Sequence, residues 1–168
     1  MRFVLIDEII EAIPGKRIRA VKHVAPDEDY FRDHFPGFPV VPGVLLTEMM
    51  AQAAGKCLEL GDSTRGKPML GRINTANFKD WVRPGETAII IADIEMSRPR
   101  FAIARCSVEV RGRKVASAEL LFSFVPRAQF AANYRDEVLE RYLSARSRED
   151  AGPGANPTPV ARTPHSWF

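Results

Sequence analysis

PGVLLTEMMAQAAGKCLEL, residues 42–60, decides how the rest of the chain is read. Ala, Leu, Met, Glu and Gln are strong helix formers, and Pro42 is tolerated in a first helical turn. Gly61 is a fitting stop, so one helix is predicted over residues 42–60. It is apolar nearly all round, which places it in an interior and not on a surface. Such a helix needs a wall, and the sequence on both sides supplies one. Even positions are apolar in three later segments: Ala88 to Met96 within 86–97, Ala102 to Val110 within 100–111, and Ala116 to Phe124 within 115–125. This is strand alternation with turn residues between, hence an antiparallel meander with one buried face. Many of its inward residues are alanines, so a bulky object approaches closely, and the helix is the natural one. Upstream, residues 1–13 are apolar and β-branched, Pro14-Gly15 turns, and 16–25 alternates as a further strand. Residues 26–41 read as loop with one helical turn at DEDYFRD, and 62–68 as a polar connection. The expected fold is α+β: a long antiparallel sheet wrapped around one central buried helix. A curled sheet leaves a long edge, and long edges are commonly paired with a second copy, so a homodimer is expected.

The chain has 168 residues and a formal charge of +3, enough for one domain with a real core. No apolar run is long enough to span a bilayer, and MRFVLIDEII does not read as a secretory signal, so a cytoplasmic protein is expected. Cys57 and Cys106 have neither pairing nor metal-ligand spacing and read as reduced, buried thiols. The basic residues cluster in 72–83 and 98–114. Most read as solvated strand faces, with a docking patch for an acidic partner as the sharper alternative. No aromatic stacking platform for RNA accompanies them. The folded domain is expected over residues 1–126. A helical extension follows over 127–146, where Val138, Leu139, Tyr142 and Leu143 share a spacing. A disordered Pro/Gly/Ala-rich tail is expected over 147–168.

The chemistry sits in DHFPGFPVVPGVLLTEMMAQAAG, residues 33–55. Glu48 lies about two turns into the oily helix, and Gln52, four residues on, shares its face. An ionised carboxylate is expensive there, so Glu48 is expected to hold a proton and to be usable as a general acid. An acid that reaches solvent or pairs with an arginine at the dimer seam is the competing reading. His34 is a ready base near neutral pH, on a turn stiffened by Pro36, Pro39 and Pro42 and eased by Gly37 and Gly43. His23, on a strand, reads as packing. Gly43 opens the helix, where free N–H groups and the positive dipole end stabilise a carbonyl oxygen gaining charge. Phe35 and Val44, next to His34 and Gly43, are further substrate-binding candidates. A base, an acid and an oxyanion site suit proton removal beside a carbonyl with loss of a hydroxyl from the next carbon.

HFPGFPVVPGVLLTEMMAQAAG resembles the signature of the 3-hydroxyacyl-acyl-carrier-protein dehydratases of fatty-acid synthesis, which have the hot-dog fold. PGKRIRAVKHV and NFKDWVRPGE extend the resemblance across about residues 3–125. It implies that His34 is the catalytic base, Glu48 its acidic partner, the Gly43 amide the group that polarises the thioester carbonyl, and Gln52 a support. It implies that His34 and Glu48 of one site come from different subunits, in dimers or trimers of dimers, with no metal or organic cofactor. Acyl carrier protein is the implied partner, and Arg72, Lys79, Arg98 and Arg100 are candidates for meeting it. Glutamate at 48 resembles the plain dehydratases, whereas relatives that also isomerise the double bond tend to carry aspartate. The chain departs from the pattern in starting almost at its first strand, in Phe38, in Asp80-Trp81 and in everything after about residue 127. These departures point to a specialised relative in fatty-acid, polyketide or other lipid synthesis. A hot-dog thioesterase and a non-catalytic acyl-chain-binding subunit are the alternatives.

Overall fold

A computed structural model describes residues 3–150 of the chain. Six strands form one antiparallel sheet: β1 (Glu8–Ile13), β2 (Arg17–His23), β3 (Lys67–Phe78), β4 (Thr87–Ser97), β5 (Phe101–Val110) and β6 (Arg113–Val125). Their order across the sheet is β1-β2-β4-β5-β6-β3. The helix α1 (Gly43–Gly61) follows a short 3-10 turn at Asp29–Arg32 and lies against the sheet, touching every strand. A second helix, α2 (Glu137–Asp150), packs near β1.

The alternation of the meander sets the core. Ala88, Ala92, Ala102, Ala104, Ala116 and Ala118 are buried, and so are Met49, Met50, Ala53, Ala54 and Cys57 of α1. Small residues on the sheet let the backbone of α1 come close: the Cys106 thiol reaches Met50 O at 3.9 Å. Both cysteines are free and buried. Burial pushes the Cys57 thiol up to about 11, so it is unreactive near neutral pH.

α1 begins one residue later than the sequence predicts, because Pro42 has extended backbone and serves as the N-cap. Gly61 is its last residue, not its stop; Asp62 is the C-cap. The glycine is needed for a close crossing: a Cβ on Gly61 would stand 2.5 Å from the Gly15 Cα. Gly15 in turn has a positive φ of 68° and donates its N–H to Cys57 O at 2.9 Å. The turn between β1 and β2 is thereby fastened to the end of α1.

Residues 69–85 carry no clear alternation, and the structure places most of β3 there. Two register shifts against β6, at Leu70/Arg72 and Ile73/Thr75, break the period of two. β3 is an edge strand whose residues from Met69 to Phe78 are exposed. The extension also differs from its expected bounds. A 3-10 turn occupies Arg127–Gln129, and the helix runs from Glu137 to Asp150 instead of over 127–146. Its start is set by Asp136, whose carboxylate accepts the Leu139 N–H at 3.0 Å, a helix N-cap arrangement. Residues 147–150, expected in the disordered tail, continue this helix, and the remainder of that tail lies outside the described residues. Among the described residues, no helix is long and apolar enough to cross a membrane.

Candidate active site

The face of α1 that its own sheet does not cover carries Val44, Glu48, Gln52 and Gly55, at spacings of three and four. Val44 is 74% exposed. Glu48 is half-buried, not buried as its oily neighbours suggest, because those neighbours point to the sheet while Glu48 points away. Its Oε1 accepts a hydrogen bond from Gln52 Nε2 at 3.0 Å. The orientation of Gln52 is fixed in turn: Leu5 N–H donates to its Oε1 at 2.9 Å, and Nε2 also donates to Phe3 O at 3.4 Å. An N–H can only meet the amide oxygen, so the amide nitrogen must face Glu48. Glu48 has no cation as a hydrogen-bond or ion-pair partner among the described residues.

His34 lies just after the 3-10 turn, half-buried, with its N–H on Tyr30 O at 2.9 Å. Its Nδ1 is 3.0 Å from Val40 O. A carbonyl only accepts, so Nδ1 carries the hydrogen and the Nε2 lone pair is free in the neutral ring. The ring stacks on Phe35, with centroids 4.1 Å apart. Phe35 itself is 52% exposed. The mount is stiff: Phe35 and Phe38 exchange backbone hydrogen bonds, Val40 N–H returns to His34 O, and Val41 N–H is held by Val82 O.

Gly43 opens α1 with no side-chain cap and no acidic residue in the first turn. Leu45 and Leu46 N–H both point back to Pro42 O. The Gly43 and Val44 N–H groups have no acceptor among the described residues, and the dipole leaves this end positive. The Phe78 ring lies 3.1 Å from where a Gly43 Cβ would stand, so this position takes glycine for space.

Within one chain these groups do not all meet. Glu48 and Gln52 line a cavity of about 510 Å³, together with Met69, Leu70 and Phe122. His34 is not among its lining residues and makes no hydrogen bond to Glu48. Several basic residues are occupied: Arg105 pairs with Glu95, Arg111 with Glu86 and Arg113 with Asp80. Arg72 is exposed on β3, Lys79 just beyond it, and Arg98 and Arg100 at the β4–β5 turn. No grouping of three His, Cys, Asp or Glu side chains suited to a metal occurs among the described residues.

Two features were beyond sequence reasoning. Asp136 and Tyr134 of the extension reach the same cavity as Glu48, and Lys56 and Glu59, on the same side of α1, take charged partners there. Only the spacing of 52, 56 and 59 hinted that this polar stripe continues.

A six-stranded antiparallel sheet curled on one long helix is a hot-dog fold. Solved structures agree. The dehydratase heterocomplex ApeI:P of Xenorhabdus doucetiae matches with a TM-score of 0.53 at 18% identity, covering 68% of this chain and 96% of that one. The PaaI protein of the phenylacetic acid degradation operon of E. coli matches with a TM-score of 0.57 at 12% identity, covering 70% and 78%. At such identities the likeness concerns the fold alone. Sequence is more specific: residues 1–119 match the model of the FabA-like domain. The 3-hydroxyacyl-acyl-carrier-protein dehydratase FabZ of Enterococcus faecalis is 40% identical over 121 residues, 71% of this chain and 86% of that protein. FabZ of Ruminiclostridium cellulolyticum is 37% identical over 122 residues, 72% and 86%. The chain belongs to the FabA-like family of 3-hydroxyacyl-acyl-carrier-protein dehydratases.

Proposed function

We propose that the protein is a hydro-lyase that removes water from 3-hydroxyacyl thioesters carried on acyl carrier protein, giving trans-2-enoyl thioesters for fatty-acid or related lipid synthesis. The observation that carries this reading is the glutamate held by a neutral amide, Glu48 on Gln52, in a family of such dehydratases. Nε2 of His34, left free because Nδ1 is engaged by Val40 O, takes the proton from the carbon beside the carbonyl. The carbonyl oxygen gains charge and is met by the Gly43 N–H at the positive end of α1. Glu48 gives a proton to the departing hydroxyl, which leaves as water. Gln52 holds one carboxyl oxygen and leaves the other for the proton. Phe35 and Val44 flank the thioester.

The two catalytic groups belong to different protomers of a homodimer in this reading. An exposed edge strand bearing Met69, Leu70, Ile73 and Phe78, with Val44 and Phe35 also exposed, offers apolar surface that a second copy would cover. Such a dimer brings His34 of one protomer to Glu48 of the other; three dimers assembling together is compatible with it. A cytoplasmic location suits a substrate delivered by acyl carrier protein, and exposed Arg72, Lys79, Arg98 and Arg100 are available to meet that acidic carrier.

Hydration of crotonyl thioesters tests the reading. His34→Ala and Glu48→Ala are each expected to abolish the loss of enoyl absorbance while leaving the dimer folded. Near wild-type turnover by His34→Ala, or release of free thiol without enoyl chemistry, would overturn it.

A further inference from the structure

The family match ends at residue 119, yet the segment beyond residue 127 takes part in the cavity that holds Glu48. Along α1 that cavity runs from Glu48 past Gln52 and Gly55 to Lys56, a path of about 12 Å at the rise of a helix. Its near part is flanked by Met69, Leu70 and Phe122. Beside Gly55 there is open room, since a Cβ there would meet only Pro68 Cγ at 3.8 Å. The far part is different. Lys56 of α1 pairs with Asp136, Lys67 of β3 pairs with Glu59 at 2.8 Å, and the Tyr134 ring lies over the Lys67 ammonium at 4.7 Å. The Lys56 and Glu59 side chains are 9% and 4% exposed. Val138, two residues after Asp136, is buried in the core and fastens the segment.

We propose that residues Tyr134–Val138 of the C-terminal extension are the end wall of the acyl-chain cavity and set the longest chain the enzyme accepts. This rests on the dehydratase reading above. A methylene gains free energy where it replaces water against apolar surface. It gains nothing against ion pairs whose members already satisfy each other, and separating a desolvated pair is costly. An acyl chain that enters at Glu48 therefore lies along Gln52 and Gly55 and ends at Lys56 and Asp136. The wall is built on a segment that lies beyond the residues matching the family model.

The test compares 3-hydroxybutyryl, 3-hydroxydecanoyl and 3-hydroxypalmitoyl thioesters on carrier protein. Tyr134→Ala, which removes a half-exposed part of the wall, is expected to raise the palmitoyl-to-butyryl ratio of kcat/KM by about tenfold or more. The gain falls on KM, because the wall is remote from the reacting carbons. Gly55→Leu, which fills the path halfway, is expected to lower that ratio. An unchanged ratio in both Tyr134→Ala and Gly55→Leu overturns the wall while leaving the dehydratase reading intact. A wild-type protein that converts none of the three substrates overturns the dehydratase reading, and the wall with it.

Discussion

Glu48 and Glu59 stand eleven residues apart on the same helix, and both look into the same cavity. Glu59 is met by two cations, Lys67 at 2.8 Å and Arg127 at 2.9 Å, and is nearly sealed from solvent. Glu48 is met by one neutral amide. Two cations tie Glu59 into a structural ion-pair network, whereas Glu48 faces the cavity with only a neutral amide on it. The C-terminal half of α1 is fastened by ion pairs, and in the proposed function the N-terminal half serves the chemistry, although composition along the helix hardly changes.

The sharpest break in this contrast is kinetic. Glu48→Gln keeps the shape and removes the transferable proton, and turnover is expected to fall by about 10²–10⁴ with the melting temperature nearly unchanged. Glu59→Ala leaves Lys67 without its closest carboxylate in a largely buried setting, and a loss of about 3–5 kcal/mol in unfolding free energy is expected, measured by denaturant titration. If Glu59→Ala lost activity without losing stability, the division of labour along α1 would fail.

The pH response of the fastening end follows from Asp136 and Lys67. Burial alone would raise the Asp136 carboxyl, but the Lys56 ammonium, the Leu139 N–H and the Lys67 charge outweigh it and hold the group below the usual carboxylate range. A depressed pKa stabilises the folded state above the unfolded pKa, and the contribution is lost as pH falls through the folded value. Burial would lower the Lys67 ammonium, yet the Glu59 carboxylate and Tyr134 hold it above its ordinary value. That contribution is present below the unfolded pKa and lost as pH rises through the folded one. The extension is therefore expected to loosen first in strong acid, read as faster amide exchange in residues 136–142 than in β4–β6. Simultaneous exchange of both regions would count against it.

The smallest effects separate two glycines. Gly55→Ala, at a helical position with room for a Cβ, is expected to stabilise by up to about 1 kcal/mol. Gly61→Ala drives a Cβ into the Gly15 backbone and is expected to destabilise.

What the sequence carried and what it did not divide by distance. α1 and the β4–β6 meander were legible because each is a local period, and the shared face of Glu48 and Gln52 because it lies within one helix. β3 was hidden because its pairing with β6 slips twice, so no period of two survives, and because both of its faces are exposed from Met69 to Phe78 in the single chain. The Lys56–Asp136 pair joins residues eighty apart and leaves no local trace. The exposure of Glu48 was left open between two readings, because the apolar residues beside it in sequence are turned to the sheet and say nothing of its own side.

One experiment reaches the core of the account, the meeting of His34 from one protomer with Glu48 from the other. His34→Ala and Glu48→Gln proteins are mixed, unfolded and refolded together, and crotonyl-thioester hydration is followed. The expected result is activity that neither parent shows alone, since a mixed dimer contains one intact pair. Verified mixed dimers that stay as inactive as their parents would contradict it.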